Sequence, residues 1–178
     1  SPSRGLGDVY KRQQQIRPDN HSHLHIITTE KFPLRKTDLA QALGVWTELA
    51  GLSQQLIDNY PPPLAGCHRL NWFDERLTID LWLGDATRSL SQGTGQGKVD
   101  AWLLDGFAPS CNQELWSKDL LAQIARLSKP HTTLATFSVA SAVKQGLKHQ
   151  GFTLAKRKGF GKKREMLTAS FQPKSTSA

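Results

Sequence analysis

From Leu24 onward, short apolar runs alternate with longer amphipathic stretches. "LHIITTEK" is rich in β-branched residues and predicts a strand. "KTDLAQALGVWTELAGLSQQLIDNY" predicts one or two amphipathic helical segments, ended by Pro61, Pro62 and Pro63, which have no amide to donate. "RLTIDLWLGD" predicts a second strand, "ATRSLSQ" a short helix and "GTGQGK" a loop. "VDAWLLDG" reads as a third strand, followed by a helix over "QELWSKDLLAQIARLSK" with Leu115, Leu121, Ile124, Ala125 and Leu127 on one side. "TTLATFS" predicts a fourth strand and "VASAVKQGLKHQ" a helix stopped by Gly151, while "FTLAKRKGF" and "REMLTASF" predict a closing pair of strands. Strands alternating with helices, the inner strands apolar on both faces, predict an α/β fold with a parallel sheet covered by helices.

Length and composition narrow the class. A chain of 178 residues with 38% hydrophobic content is one domain's worth and buries a core without staples. Cys67 and Cys111 are far apart and show no zinc-ligand spacing, which fits a reducing, cytoplasmic setting with neither a metal site nor a disulfide framework. No stretch approaches the apolar length of a membrane span, so no membrane partner is expected. Residues 1–13, "SPSRGLGDVYKRQ", have no amphipathic period, resemble translated sequencing adapter and are read as non-native; residues 14–171 are expected to fold and 172–178 to form a polar tail.

Charge distribution adds a partner. The net charge is +8, and between Lys144 and Arg164 lie Lys144, Lys148, Lys156, Arg157, Lys158, Lys162, Lys163 and Arg164 with no acid among them. Such a cluster points to a polyanion, nucleic acid first, although it also fits a solvated turn between the last two strands. Phe160 between two glycines within that cluster offers a ring for stacking on a base beside cations for phosphate.

Acids follow the first three predicted strands: Glu30, Asp85 and Asp105. In parallel α/β sheets ligands bind beyond the carboxyl ends of the strands, where a carboxylate can accept hydrogen bonds from ribose hydroxyls. Glu30 suits that role, whereas "GDATRSL" also makes Asp85 a good helix N-cap. After Asp105, Gly106, Phe107, Ala108 and Pro109 turn the chain away from regular structure, leaving a carboxylate, backbone carbonyls and a ring face beside one another. A flat base or an amine fits such a place.

The segments "LHIITTEKFPL", "YPPPLAGCHRL", "LTIDLWLGDA", "KVDAWLLDGFAP", "LATFS" and "KRKGFGKKREML" closely resemble the methyltransferase half of the bacterial MnmC proteins, in uninterrupted order from about Leu24 to Leu167. The resemblance implies a class I S-adenosylmethionine-dependent, Rossmann-like methyltransferase fold. It further implies methyl transfer to the aminomethyl nitrogen of 5-aminomethyl-2-thiouridine at the tRNA wobble position. On that reading Glu30 holds the cofactor ribose, Asp85 lies near its adenine, and Asp105 faces the amine, with Gly106, Phe107, Pro109 and Asn112 around the acceptor base. Lys156, Arg157, Lys158, Phe160, Lys162, Lys163 and Arg164 would meet the tRNA. Many family members carry a downstream FAD-dependent oxidase on the same polypeptide, so FAD enters only if the intact protein has that domain.

Departures from the family bear on the cofactor and on tRNA contact. The family's first strand and glycine-rich cofactor loop are expected upstream of "LHIITTEK", and the sequence does not contain them there; "GTGQG" at 93–97 reads as a connector. Ser110 and Cys111 stand where the family commonly has Ala-Lys, and Lys144-Gln145 where two arginines are usual. Two rivals therefore stand beside the tRNA methyltransferase: an inactive tRNA-binding fragment, and a Rossmann methyltransferase of small-molecule amines. His21, His23 and His25 alternate and could share a strand face, but without cysteine or carboxylate partners no metal is expected. Trp46, Trp82, Trp102 and Trp116 are read mostly as packing residues, with Trp116 also a candidate for the substrate mouth.

Overall fold

The computed structural model describes residues 22–72, 76–93, 97–104, 116–159 and 165–172. The elements run β1 (Leu24–Glu30), α1 (Lys36–Leu43), a short 3-10 turn (Thr47–Leu49), α2 (Ala50–Asn59), β2 (Gly66–Trp72), β3 (Leu77–Leu83), α3 (Ala86–Gln92) and β4 (Val99–Leu104). They continue with α4 (Lys118–Leu127), β5 (Ser128–Thr136), α5 (Ser141–His149), β6 (Phe152–Lys158) and β7 (Glu165–Phe171). The chain divides into two compact units, Ser1–Ser89 and Leu90–Ala178.

The sequence predicted one parallel sheet; the strands form two, with orders β1-β3-β2 and β4-β5-β7-β6. Among the described residues only β1 with β3 and β4 with β5 pair in parallel, whereas β2, β6 and β7 are joined by antiparallel ladders. The antiparallel strand β2 is an element that the periodicity reading passed over. β1 and β4 are each an edge strand of their sheet. Ile26, Ile27 and Leu103 are accordingly exposed, Leu103 by 80%.

In the first unit, β3 is the central strand, and its Asp80 holds both neighbours. Asp80 is 5% exposed. Its Oδ1 accepts from Arg69 Nε on β2 at 2.7 Å and its Oδ2 from Arg69 Nη2 at 2.8 Å. His25 Nε2 on β1 lies 2.8 Å from the same Oδ2. The bidentate geometry makes the hydrogen bonds from Arg69 the main cause holding the Asp80 carboxyl below the usual carboxylate range, against the opposing effect of burial. Next in the ladder, His23 Nε2 lies 2.9 Å from Thr78 Oγ1, which donates to Asn71 Oδ1 at 2.9 Å. Of the three histidines considered above as metal ligands, His23 and His25 thus meet Thr78 and Asp80, and His21 lies outside the described residues.

The second unit has the larger apolar core. Leu120, Leu121, Ile124 and Leu127 are the buried face of α4, a stripe close to the predicted one, with Leu120 added, Ala125 only half-buried and Leu115 outside the described residues. Val143 and Leu147 of α5, Leu134 of β5, Phe152 of β6, and Leu167 and Phe171 of β7 are buried with them. Helix α4 begins at Ser117, whose hydroxyl accepts the Leu120 amide at 3.2 Å. Gly146 is needed because a Cβ there would stand 2.5 Å from Leu121 Cδ1. Gly151 ends α5 at φ +95°, a conformation that glycine tolerates and that side chains resist.

The Asp80 ion pair ties stability to pH. A carboxylate whose folded pKa is depressed stabilises the fold above its unfolded value of about 3.9, and that contribution is lost as pH falls through the folded value. Arg69→Met removes the main cause of the depression, so acid unfolding followed by circular dichroism should move to higher pH. An unchanged acid midpoint would show that Arg69 does not hold Asp80 in solution.

Candidate active site

The parallel register of β1 and β3 determines which acids meet. Glu30 pairs with Leu83, and the Gly84 amide donates to the Glu30 carbonyl at 2.9 Å, so the two strands end side by side. Gly84 has φ +136°, which lets the chain turn from β3 directly into Asp85 and α3. Glu30 and Asp85, the two acids assigned to a nucleoside cofactor from sequence, therefore stand at the carboxyl ends of adjacent strands.

Their carboxylates have different local duties. Glu30 Oε1 accepts the Phe32 amide at 2.8 Å, closing a tight turn after β1 in an exposed position. Asp85 Oδ1 accepts the Arg88 amide at 3.0 Å, and its carbonyl accepts the Ser89 amide at 2.9 Å. The N-cap alternative for Asp85 is therefore realised. One carboxylate oxygen in each case takes part in these backbone bonds, and a carboxylate has acceptor capacity for more.

Around Glu30 the surface is aromatic and cationic. The Phe32 ring is 77% exposed, with Lys31 Nζ 5.8 Å from its centroid. Tyr60, the C-cap of α2, is half-buried. Burial, and then the negative charge of Glu30, push the Tyr60 phenol up from its ordinary value, and the Leu34 backbone opposes them. Lys36 Nζ donates to the Asp58 carbonyl at 3.3 Å, a link between the start of α1 and the end of α2.

The remaining candidates lie on the second unit. Asp105, Gly106, Phe107, Pro109 and Asn112 are outside the described residues, as are Phe160, Lys162, Lys163 and Arg164. Val99–Leu104, the strand that leads toward Asp105, is in the four-stranded sheet, whereas the strands that precede Glu30 and Asp85 are in the three-stranded one. Lys156, Arg157 and Lys158 are all on β6, the edge strand of that sheet, and all are exposed. Lys156 Nζ pairs with Glu165 Oε2 at 3.0 Å across the β6–β7 ladder.

Sequence reasoning passed over Tyr60 and the His25–Asp80–Arg69 cluster. An aromatic residue just before a triple proline marks a rigid helix end and was a usable signal for Tyr60. Asp80 sits at an inward position of an otherwise apolar strand, which signals a buried carboxylate in need of a cation. Among the described residues, no group of three or more histidines, cysteines and acids is placed to hold a metal ion, and no helix is long and apolar enough to cross a membrane.

Comparisons with known proteins bear on this geometry. Residues 47–172 match the profile of a family described as S-adenosyl-L-methionine-dependent methyltransferase. A curated relative from Acinetobacter baylyi, the tRNA 5-methylaminomethyl-2-thiouridine biosynthesis bifunctional protein MnmC, is 58% identical over 161 residues, covering 90% of this chain and 26% of the relative. Its namesake from Pseudoalteromonas atlantica is 49% identical over 161 residues, covering 89% of this chain and 23% of the relative. The chain thus spans about a quarter of the length of these relatives. The crystal structure of MnmC2 from Aquifex aeolicus superposes with a TM-score of 0.68 at 24% identity, over 94% of this chain and 49% of that one, a likeness of fold.

Asp85 has a capping duty that can be separated from any ligand duty. Asp85→Ala should cost about 1 kcal/mol in urea denaturation, the usual loss of an N-cap, while Asp85→Asn keeps the acceptor and should cost much less. Equal losses would show that the cap does not stabilise α3.

Proposed function

Because this chain belongs to the S-adenosyl-L-methionine-dependent methyltransferase family, we propose that it is the methyltransferase part of an MnmC-type tRNA-modifying protein. The methyl acceptor is the aminomethyl nitrogen of 5-aminomethyl-2-thiouridine at the tRNA wobble position, and the product carries 5-methylaminomethyl-2-thiouridine. The observation that carries this reading is the extent of the likeness to the MnmC relatives, which runs through nine-tenths of the chain. The relatives' greater length and the word bifunctional in their name support a further domain in the intact protein, which the family resemblance would make an FAD-dependent oxidase. Residues 14–171 are then part of the methyltransferase domain, and the setting is the cytoplasm.

The donor supplies an electrophilic methyl group on a sulfonium. Glu30 fits the adenosine half of such a molecule, since its carboxylate is exposed at a strand end with acceptor capacity beyond the Phe32 amide. Asp85 on the neighbouring strand end serves the adenine side while capping α3. Asp105 attracts the acceptor amine, which at neutral pH is mostly ammonium by comparison with a lysine pKa of about 10.4. An ammonium has no lone pair, so the proton must leave before or as nitrogen attacks carbon and the carbon–sulfur bond breaks; Asp105 or water accepts it. Gly106, Phe107, Pro109 and Asn112 shape the place for the base. Lys156, Arg157, Lys158, Phe160, Lys162, Lys163 and Arg164 bring the tRNA there through phosphate contacts and stacking. The exposure of Arg157 and Lys158 supports this, and so does the position of all three described cations on an edge strand.

The decisive assay incubates the protein with S-adenosylmethionine and tRNA bearing 5-aminomethyl-2-thiouridine, and reads the modified nucleoside by mass spectrometry. Asp105→Asn should lower turnover by about 10²- to 10⁴-fold, the range of general acid–base contributions. Undiminished turnover would remove Asp105 from the chemistry. Methylation of free alkylamines but not of tRNA would instead favour the small-molecule enzyme, and salt-sensitive tRNA binding without any donor binding would favour an inactive binding fragment. In the same preparations, replacing Arg157 and Lys158 by alanine should flatten the dependence of log K for tRNA on log salt by about one for each phosphate no longer neutralised. An unaltered slope would take β6 out of the interface.

A further inference from the structure

The proposed function brings RNA to the second unit, yet the first unit carries an aromatic and cationic turn of its own. "KFPLRK" at 31–36 follows β1 and enters α1 with three cations and no acid. Lys31, Phe32, Leu34, Arg35 and Lys36 are all exposed, whereas Pro33 is half-buried, so two apolar side chains stand outward on either side of it. The Phe32 ring is 77% exposed, with the Lys31 ammonium over it at 5.8 Å from the centroid, and Leu34 is 49% exposed. The turn is nevertheless tied down. The Phe32 amide donates to Glu30 Oε1 at 2.8 Å, Pro33 biases the Phe32 backbone away from helix, and Lys36 Nζ donates to the Asp58 carbonyl at the end of α2 at 3.3 Å. That carbonyl is a neutral group, so the Lys36 charge is not cancelled, and among the described residues no acid pairs with Arg35 or Lys36.

We infer that this turn is an RNA contact of the first unit, in which the Phe32 ring stacks on an unpaired base while Lys31, Arg35 and Lys36 meet the flanking phosphates. This rests on the reading of the chain as part of a tRNA-modifying enzyme, whose acceptor uridine lies in a single-stranded loop among other unpaired bases. Single-stranded RNA is bound by such a pairing of parts: cations attract the backbone, and a ring gives a base a flat seat whatever its identity. The backbone that carries Phe32 is already fixed by Glu30 and Pro33, so less freedom is lost when a base arrives. Glu30 itself repels phosphate, but its Oε1 is engaged by the Phe32 amide. A protein partner fits the turn less well, because lysine is depleted at the centre of protein interfaces and here three cations accompany one ring.

The test measures binding of this chain to three probes: a tRNA anticodon stem-loop, the same stem as a closed RNA duplex, and S-adenosylhomocysteine. Phe32→Ala should weaken stem-loop binding by about five- to a hundredfold, the range for one lost base–aromatic stack, and leave the duplex and S-adenosylhomocysteine affinities unchanged. Phe32→Trp supplies a ring again and should keep the stem-loop affinity. Because the Phe32 side chain is so exposed, the melting temperature should not move in either variant. Replacing Arg35 and Lys36 together by glutamine should flatten the dependence of log K for the stem-loop on log salt by about 0.7 for each phosphate no longer neutralised. Stem-loop affinity in Phe32→Ala equal to that of wild type overturns the inference and leaves the turn to a protein surface. A loss for S-adenosylhomocysteine alone also overturns it, since the ring would then serve the donor, and so does an equal loss for stem-loop and duplex. Wild-type protein that binds neither RNA would sink the underlying tRNA reading as well, whereas wild-type binding that Phe32→Ala retains in full removes this inference only.

Discussion

A buried carboxylate reaching both neighbouring strands is the constraint on which the first unit depends. Asp80 on β3 takes both bonds of the Arg69 fork from β2 and meets His25 from β1. Apolar burial in this unit is thin: Leu83 is its one core hydrophobic side chain among the described residues, while β1 is largely exposed. Under those conditions a directional polar clamp specifies register better than a greasy face does, because a one-residue slip would move every partner to the opposite side. The placement of Glu30 beside Gly84 and Asp85 follows from that register.

The second unit is built the other way. Its α4 stripe and the side chains of α5, β5, β6 and β7 form a continuous apolar interior, and close approach of the two helices is allowed by a glycine at 146. Polar groups within it serve packing: the Trp102 indole donates to the Ser128 hydroxyl at 2.9 Å, and that hydroxyl donates to the Ile124 carbonyl at 2.7 Å. Such bonds allow an indole and a hydroxyl to be withdrawn from water without an unsatisfied group. Trp102 is thus a packing residue, as the sequence reading took it to be.

Much of this was legible from sequence because most elements have local signals. The strands β1, β3, β4, β6 and β7 follow their β-formers, α4 follows its period from its Ser117 cap onward, and α5 follows its period and its stop at Gly151. β2 was passed over because "GCHRLNW" carries few strand formers, and its pairing depends on Arg69 meeting a carboxylate that is distant in the chain. The division into two sheets was equally hidden, since alternation of strands and helices says nothing about which strands become edges. Acids following predicted strands pointed to Glu30 and Asp85, which stand at adjacent strand ends, and the "GDATRSL" pattern correctly kept open the capping duty of Asp85. The link between the start of α1 and the end of α2 was not legible, because Lys36 meets the Asp58 carbonyl only when the end of α2 folds back beside the first turn.

The edge position of β6 has a consequence for how the chain behaves in solution. An edge strand offers unpaired backbone groups to any other strand that approaches, and natural proteins discourage such pairing with charged side chains. Exposed Arg157 and Lys158, with Lys156 beside them, give β6 that protection through mutual repulsion between copies. The range of that repulsion shrinks as ions are added, to about 8 Å at physiological ionic strength and about 3 Å at 1 M. High salt, the usual means of stripping nucleic acid from a basic protein, would therefore also weaken the barrier to self-association, so colloidal stability and release of a polyanion draw on the same charges in opposite senses.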